Sequence, residues 1–560
     1  MNDFFDQTAG RVGRNSELFR IRDLPRRVWE ISAEDTAGSL TEILRTPSGS
    51  MQLRPVQAAA LVEIGTVGGL FGPLRVGAGK TLISLLAPVV SEAVRPLLLV
   101  PAALVDKTRR DEAELAQHFD LGEIEIVSYE WLGRAQAADA LEKLAPDLII
   151  ADEVHRLKNP RAAVTRRVRR YMADHPETKF VAMSGTVTKR SLKDYAHLLK
   201  WTHDDPPIPQ NYRDLELWAD ALDERKGQTR RADPDALVEL CDEFEAAVWD
   251  RDPRSAARQA YRRRLTETPG VVATSETPID ASITVRSVEP PPSTGIDEAF
   301  HKLRTLWETP DGWPISDGLA MFRHARELAL GFYYVWDPRP PAYWLEARRA
   351  WAAFVRGVLA RSRSLDSELQ VRQQHADAPD CLEWLAVRKH FEPNTVPRWI
   401  DDSVVEFCAG FDGIVWTEHR HFAERLAAVS GVPYFGRKGK DKTGKAIEDH
   451  AGPMIASVQS NATGRNLQAW HNNLIASMPA NGMQTEQLFG RTHRDGQTAD
   501  EVRFDVVTNC AEHVGAFWQA VSDAKYVFDS TGSPQKILLA DLDVLTPSSI
   551  AFRTGSRWEK

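Results

Sequence analysis

The sequence predicts an α/β fold with two parallel sheets flanked by helices, on three observations. Short apolar runs recur between 53 and 200, namely PLLLVP (96–101), IEIVSY (124–129), PDLIIAD (146–152) and KFVAMSG (179–185). Helix-length amphipathic stretches separate them, which is the texture of buried strands in a parallel sheet. The same texture returns in FDGIVWT (411–417), VPYFG (432–436), PMIASVQS (453–460), NNLIAS (472–477) and EVRFDVVTN (501–509). Between the two groups, 201–400 is rich in Arg, Trp and Pro and reads as mainly helical.

A chain of 560 residues is long enough for three or four folding units, each with its own core. We divide it into an N-terminal extension (1–48), a first α/β domain (49–200), a helical insertion or accessory region (201–400), a second α/β domain (401–530) and a tail (531–560). No repeat of 20–50 residues and no low-complexity tract appears.

Apolar residues make up 42% and charged residues 27%, the composition of a globular chain. The start, MNDFFDQTAGRVGRN, has no apolar core of signal-peptide length, and no run of about 18 uncharged apolar residues follows. We expect a cytoplasmic protein, in a bacterium or a phage-infected host, that does not enter a membrane. Cys241, Cys381, Cys408 and Cys510 are too far apart for a CxxC zinc pattern or a dense disulfide framework. The net charge of -9 argues against a uniformly cationic surface, yet 70 Lys and Arg residues leave room for local basic patches.

VGAGKT (76–81) carries the first chemistry. Gly77 and Gly79 let backbone N–H groups approach phosphate oxygens, and the helix that follows turns its positive end toward them. Lys80 is placed for the β and γ phosphates of ATP, and Thr81 for a magnesium ion. The strict GxxxxGK[ST] pattern asks for Gly at 74, where this chain has Leu74. PDLIIADEVH (146–155) then ends a strand in acidic residues. Such an edge carboxylate, Asp152, holds magnesium, while Glu153 polarises the attacking water.

Asp152-Glu153-Val154-His155 resembles the DExH box of superfamily-2 helicases. Other segments follow that family's order. Leu53-Arg54-Pro55-Val56-Gln57 resembles the segment whose glutamine reads adenine, and Ser184-Gly185-Thr186 resembles the motif that, with His155, couples nucleotide state to the second domain. QLFGRTHRDGQ (487–497) reproduces the QxxGRxxR spacing through Gln487, Gly490, Arg491 and Arg494. On a helix, residues three apart share a face, so both arginines can point at one γ phosphate. The resemblance makes them arginine fingers, a device that contributes about 10³–10⁵ in rate.

GRTHRDGQ is similar to the GRxHRxGQ of the Snf-type branch, the ATPases related to chromatin remodellers. TGRNLQAW (463–470) resembles that branch's GxGxNLQ, with Gly464, Asn466 and Leu467 in place and Thr463 and Arg465 as departures. The resemblance covers about 50–200 and 410–530. It implies two RecA-like domains and an ATP-dependent DNA translocase or helicase, with duplex favoured as the substrate. Two alternatives stay open: a strand-separating helicase on single-stranded DNA or RNA, and a scaffold that binds nucleic acid without turnover.

Such motors grip the phosphate backbone. Lys107 lies in PAALVDKT, which resembles the family's first strand-gripping motif, and Asn466 lies in the altered GxGxNLQ. Arg254, Arg258 and Arg262 recur every four residues and would line one helix face, though such stripes are often only solvated. Arg161, Arg166, Arg167, Arg169 and Arg170 are similarly ambiguous. Trp307, Trp313, Trp336, Trp344 and Trp351 could stack on bases, but LEARRAWAAFVRGVLA (345–360) reads as an amphipathic helix that would take several of them into a core.

Overall fold

Apolar residues alternate in the early strands, and the alternation sorts them onto two faces. In the computed structural model, Leu97, Leu99, Ile149, Ala151, Phe180 and Ala182 enter one core cluster, while Leu98, Val100, Leu148, Ile150, Val181 and Met183 enter another. A sheet buried on both faces needs apolar residues at every position, which is why these runs are continuous rather than alternating with polar ones. Each fully buried Leu or Ile contributes roughly 1.5–3 kcal/mol.

The structure describes residues 10–28, 31–188, 190–223, 231–274, 279, 281–462, 464–549 and 555–559. The chain divides into two units: Met1–Thr277 with Asp523–Gln535, and Pro278–Ser522 with Lys536–Lys560. Thr463 lies outside the described residues. Among the described residues no helix is long and apolar enough to cross a membrane.

Unit 1 holds β1 (Leu70–Gly72), β2 (Pro96–Val100), β3 (Glu125–Ser128), β4 (Leu148–Asp152) and β5 (Lys179–Met183). All pair in parallel, in the order β1-β5-β4-β2-β3. Parallel pairing delivers every strand's C-terminal end to the same edge, so the loops after β1, β4 and β5 emerge together. Segment 270–272 runs beside β1, with the Phe71 N–H donating to Gly270 O at 2.7 Å and the Val272 N–H to Phe71 O at 3.1 Å.

Unit 2 holds β6 (Ser282–Val288), β7 (Phe332–Asp337), β8 (Asn394–Trp399), β9 (Ile414–Thr417), β10 (Tyr434–Phe435), β11 (Met454–Ser457), β12 (Asn472–Ile475), β13 (Glu501–Val507) and β14 (Asp541–Asp543). Seven of these form a parallel sheet, β10-β11-β9-β12-β13-β6-β14, and β7 and β8 pair antiparallel.

The stretch 201–400 is therefore not one helical insertion. Its first part groups with unit 1 and its remainder with unit 2, and β6 completes the second sheet beside β13. SITVRSV (282–288) has the β-branched residues of a strand, but its pairing partner lies more than 200 residues away in sequence, so periodicity alone gives it no place. The terminal segments are structural too. Val12, Leu18 and Ile21 enter a core cluster of unit 1, and β14 from the tail pairs with β6. Trp344 and Trp351 are buried with Trp384 in a small core of unit 2, which accounts for them without bases, whereas Trp307 is 49% exposed.

Candidate functional site

The loop after β1 is shaped by two glycines in the left-handed region, Gly77 (φ 94°) and Gly79 (φ 76°). A Cβ at Gly79 would lie 2.0 Å from Gln57 Nε2, so a side chain there would displace that amide as well as strain the left-handed turn. The helix Lys80–Ser91 starts directly after it. Lys80 is buried, and its ammonium donates to Leu74 O and Arg75 O, both at 3.2 Å. Leu74 explains its own departure from the glycine pattern. It is not among the described residues with positive φ, and its side chain is wholly buried in the core with Met183, so the backbone asks for no glycine and the core uses the side chain. Gln57 is also buried. Its Oε1 accepts from the Arg54 N–H at 2.8 Å and its Nε2 donates to Ala78 O at 3.4 Å, which ties the helix Pro55–Val67 to the loop.

Two strands further in, β4 ends at Asp152, whose carboxylate accepts the Glu153 N–H at 2.9 Å. Glu153 sits at φ 55°, a left-handed conformation that costs a residue with a side chain about 1 kcal/mol or more. That turn places the Glu153 carboxylate in a buried cluster. Ser184 Oγ donates to Glu153 Oε2 at 3.2 Å, and His155 Nδ1 lies 3.2 Å from the same oxygen and 3.1 Å from Ser184 Oγ. The Thr186 N–H donates to Ser184 Oγ at 3.3 Å, and Tyr129 Oη donates to Asp152 O at 2.8 Å.

Burial pushes the Asp152 carboxyl up to about 6, with the adjacent Glu153 charge adding to the rise and Lys80 opposing it. Burial also lowers His155, against the pull of Glu153, which favours a neutral imidazole. The edge thus gathers a lysine, two carboxylates, a neutral histidine and the hydroxyl-bearing Ser184, Thr186 and Tyr129 where a loop turned by glycines meets a helix N-terminus. Backbone and ammonium donors suit a polyanion, and adjacent carboxylates, Glu153 buried and Asp152 half-buried, suit a cation.

No protein-family model matches the chain, and no curated protein matches it.

In unit 2, the helix Gly482–Thr492 is held by Phe489, which stacks on Phe504 of β13 at 4.0 Å between ring centroids. Arg491 lies on this helix, but Arg494 lies beyond its end, so the two do not share a helix face as the spacing suggests. They meet by another route. Arg491 Nη1 and Arg494 Nη1 both donate to Arg465 O, at 3.0 and 3.1 Å, and Arg494 also donates to Asn466 Oδ1. Gln487 is buried and its carbonyl accepts from Arg491 Nε at 2.8 Å. Gly464 takes φ 73° at the turn that presents Arg465.

The arginines of the helix Pro253–Thr266 are largely committed to the fold. Arg254 donates to Ala221 O (2.6 Å) and Ala232 O (2.9 Å), and buried Arg258 lies 3.7 Å from Asp529. Arg262 packs over the Phe528 ring and donates to Phe528 O at 3.4 Å. Their regular spacing is thus accounted for by packing inside unit 1. Arg167 is buried as well, donating to the carbonyls of Leu132 and Arg134. Lys107 pairs with Asp111 one helical turn on, with its side chain 31% exposed. Tyr129, which joins this edge through Asp152 O, ends a strand run and carries no motif, so the sequence gives no signal for it.

Proposed function

We propose that the chain is an ATP-hydrolysing motor of the superfamily-2 helicase type, similar in its motifs to the Snf-type branch, with two RecA-like domains and DNA, duplex favoured, as its track. The observation that carries the reading is the convergence at one sheet edge of Lys80, Asp152, Glu153, His155 and Ser184, beneath a loop turned by Gly77 and Gly79. Lys80 and the loop N–H groups would take the β and γ phosphates, and Gln57, already against the loop, is the residue assigned to adenine. Among the described residues no group of three His, Cys, Asp or Glu side chains would hold a metal alone. Magnesium would therefore rest on Thr81, Asp152 and oxygens of the nucleotide, as this hard cation commonly does. Its charge would help neutralise the transferred phosphoryl group.

Glu153 orients the water, and the hydroxyl of Ser184 and the neutral imidazole of His155 orient Glu153. Arg491 and Arg494 supply positive charge to the transition state. The cycle of ATP binding and hydrolysis would drive stepping along the DNA backbone, with Lys107 and Asn466 as contacts.

ATP hydrolysis by the full chain, measured alone and with duplex DNA, single strands and RNA, tests the reading. Wild type is expected to hydrolyse ATP with stimulation by duplex, and Lys80→Ala to lose that activity. Turnover by Lys80→Ala at the wild-type rate would remove the proposed site, and stimulation by single strands alone would replace the duplex track.

A further inference from the structure

Gly185 is where three parts of unit 1, far apart in sequence, come together. A Cβ built on it would stand 3.3 Å from the Val76 nitrogen and 3.5 Å from Leu74 O, the carbonyl that receives the Lys80 ammonium, so Gly185 rests against the phosphate loop. Its neighbour Ser184 donates to Glu153. Its own carbonyl accepts from Gln535 Nε2 at 3.3 Å and from Ser533 Oγ at 3.4 Å.

Those two residues end a C-terminal strap, Asp523–Gln535, that groups with unit 1. The strap is firmly held. Arg190 pairs with buried Asp523, Tyr526 Oη donates to Asp223 Oδ1 at 3.0 Å, and Asp529 lies 3.7 Å from Arg258.

Gln535 is 1% exposed, and its Nε2 faces three carbonyl oxygens, Gly185 (3.3 Å), Ser533 (3.2 Å) and Pro534 (3.4 Å). That environment fixes the amide orientation, because a flipped amide would press its oxygen against three others. The Oε1 left on the other side is buried with no hydrogen-bond partner among the described residues. A buried amide with one end unsatisfied is a poor choice for stability alone, where an apolar residue of the same size does better.

We propose that Gln535, assisted by Ser533, is a positioning residue for hydrolysis. By holding the Gly185 carbonyl it fixes the Ser184–Gly185–Thr186 turn, and through that turn the aim of Glu153. The proposal rests on the reading of this site as an ATPase.

The test compares Gln535→Ala, Gln535→Met and Ser533→Ala in the full chain. Gln535→Met keeps the length and removes the donor without burying a charge, so it carries the test even where the alanine variant folds poorly. Both Gln535 variants are expected to lose about 10–100-fold in kcat per folded molecule, the scale of loss when a reacting group is misplaced from a distance, with KM for ATP unchanged. Ser533→Ala should lose less. Wild-type kcat in both Gln535 variants overturns the proposal, as does a loss of kcat, ATP affinity and Tm in parallel, which is what a purely structural role gives. Glu153→Gln serves as the control. If it is inactive while the Gln535 variants match wild type, only this proposal falls; if it hydrolyses ATP normally, the reading of the site falls and this proposal with it.

Discussion

Each parallel sheet ends one of its central strands in a Glu-and-His cluster with a serine from a neighbouring strand, and the two clusters treat their charge differently. In unit 1, Glu153 follows β4 and accepts from Ser184, with His155 at 3.2 Å. In unit 2, Glu418 follows β9, Ser477 follows β12, and Arg326 Nη2 donates to Glu418 at 2.7 Å, to Ser477 Oγ at 3.1 Å and to Met478 O. The neighbouring His419 and His513 are lowered by burial, His513 to about 3 with Arg326 and His419 adding to the effect. The same residue types therefore make a carboxylate held by a hydroxyl and a neutral imidazole in one place, and a guanidinium-neutralised one in the other. In the proposed ATPase the first carboxylate is the one that polarises water, whereas the second holds an edge together.

The largest expected effect sharpens what unit 2 contributes beyond that neutralised edge. Arg494→Ala should lower single-turnover hydrolysis by about 10³, the scale of an arginine finger, while equilibrium ATP binding stays near wild type. Equal losses in both would make Arg494 a residue that only folds unit 2, through Arg465 and Asn466.

Next in size is a test of the structural edge. Arg326→Met leaves Glu418 largely buried without its cation and should destabilise the protein by about 2–4 kcal/mol in denaturant unfolding, with hydrolysis per folded molecule unchanged. Lost hydrolysis at unchanged stability would break the contrast between the two clusters.

The smallest effect is in pH. His513 has a folded value below its unfolded one, so its neutral form is favoured in the fold, and its contribution is complete above about 6.5 and lost as pH falls toward 3. Between pH 6.5 and 5 this should cost about 2 kcal/mol, and His513→Gln should flatten that part of the profile. An unchanged profile would show that the imidazole is not kept neutral.

The sequence was most legible where chemistry and local geometry coincide. The strands from 96 to 185 follow from continuous apolar runs, and Gly77, Gly79, Lys80, Asp152 and Glu153 sit where loop and strand logic puts them. It was least legible where a segment's place depends on a distant partner. β6 and β14 join the second sheet only through long-range pairing, and Gln535 reaches Gly185 across about 350 residues. The stripe Arg254, Arg258 and Arg262, whose spacing alone leaves a ligand face and a solvated face both open, has partners at Ala221, Ala232, Asp529 and Phe528 of the same unit.

ATP binding and hydrolysis by Glu153→Gln test the central claim most directly. The account predicts a protein that binds ATP with magnesium as tightly as wild type and turns over less than about 1% as fast, consistent with loss of a group that acts in the transition state. Hydrolysis by this variant near the wild-type rate would contradict it.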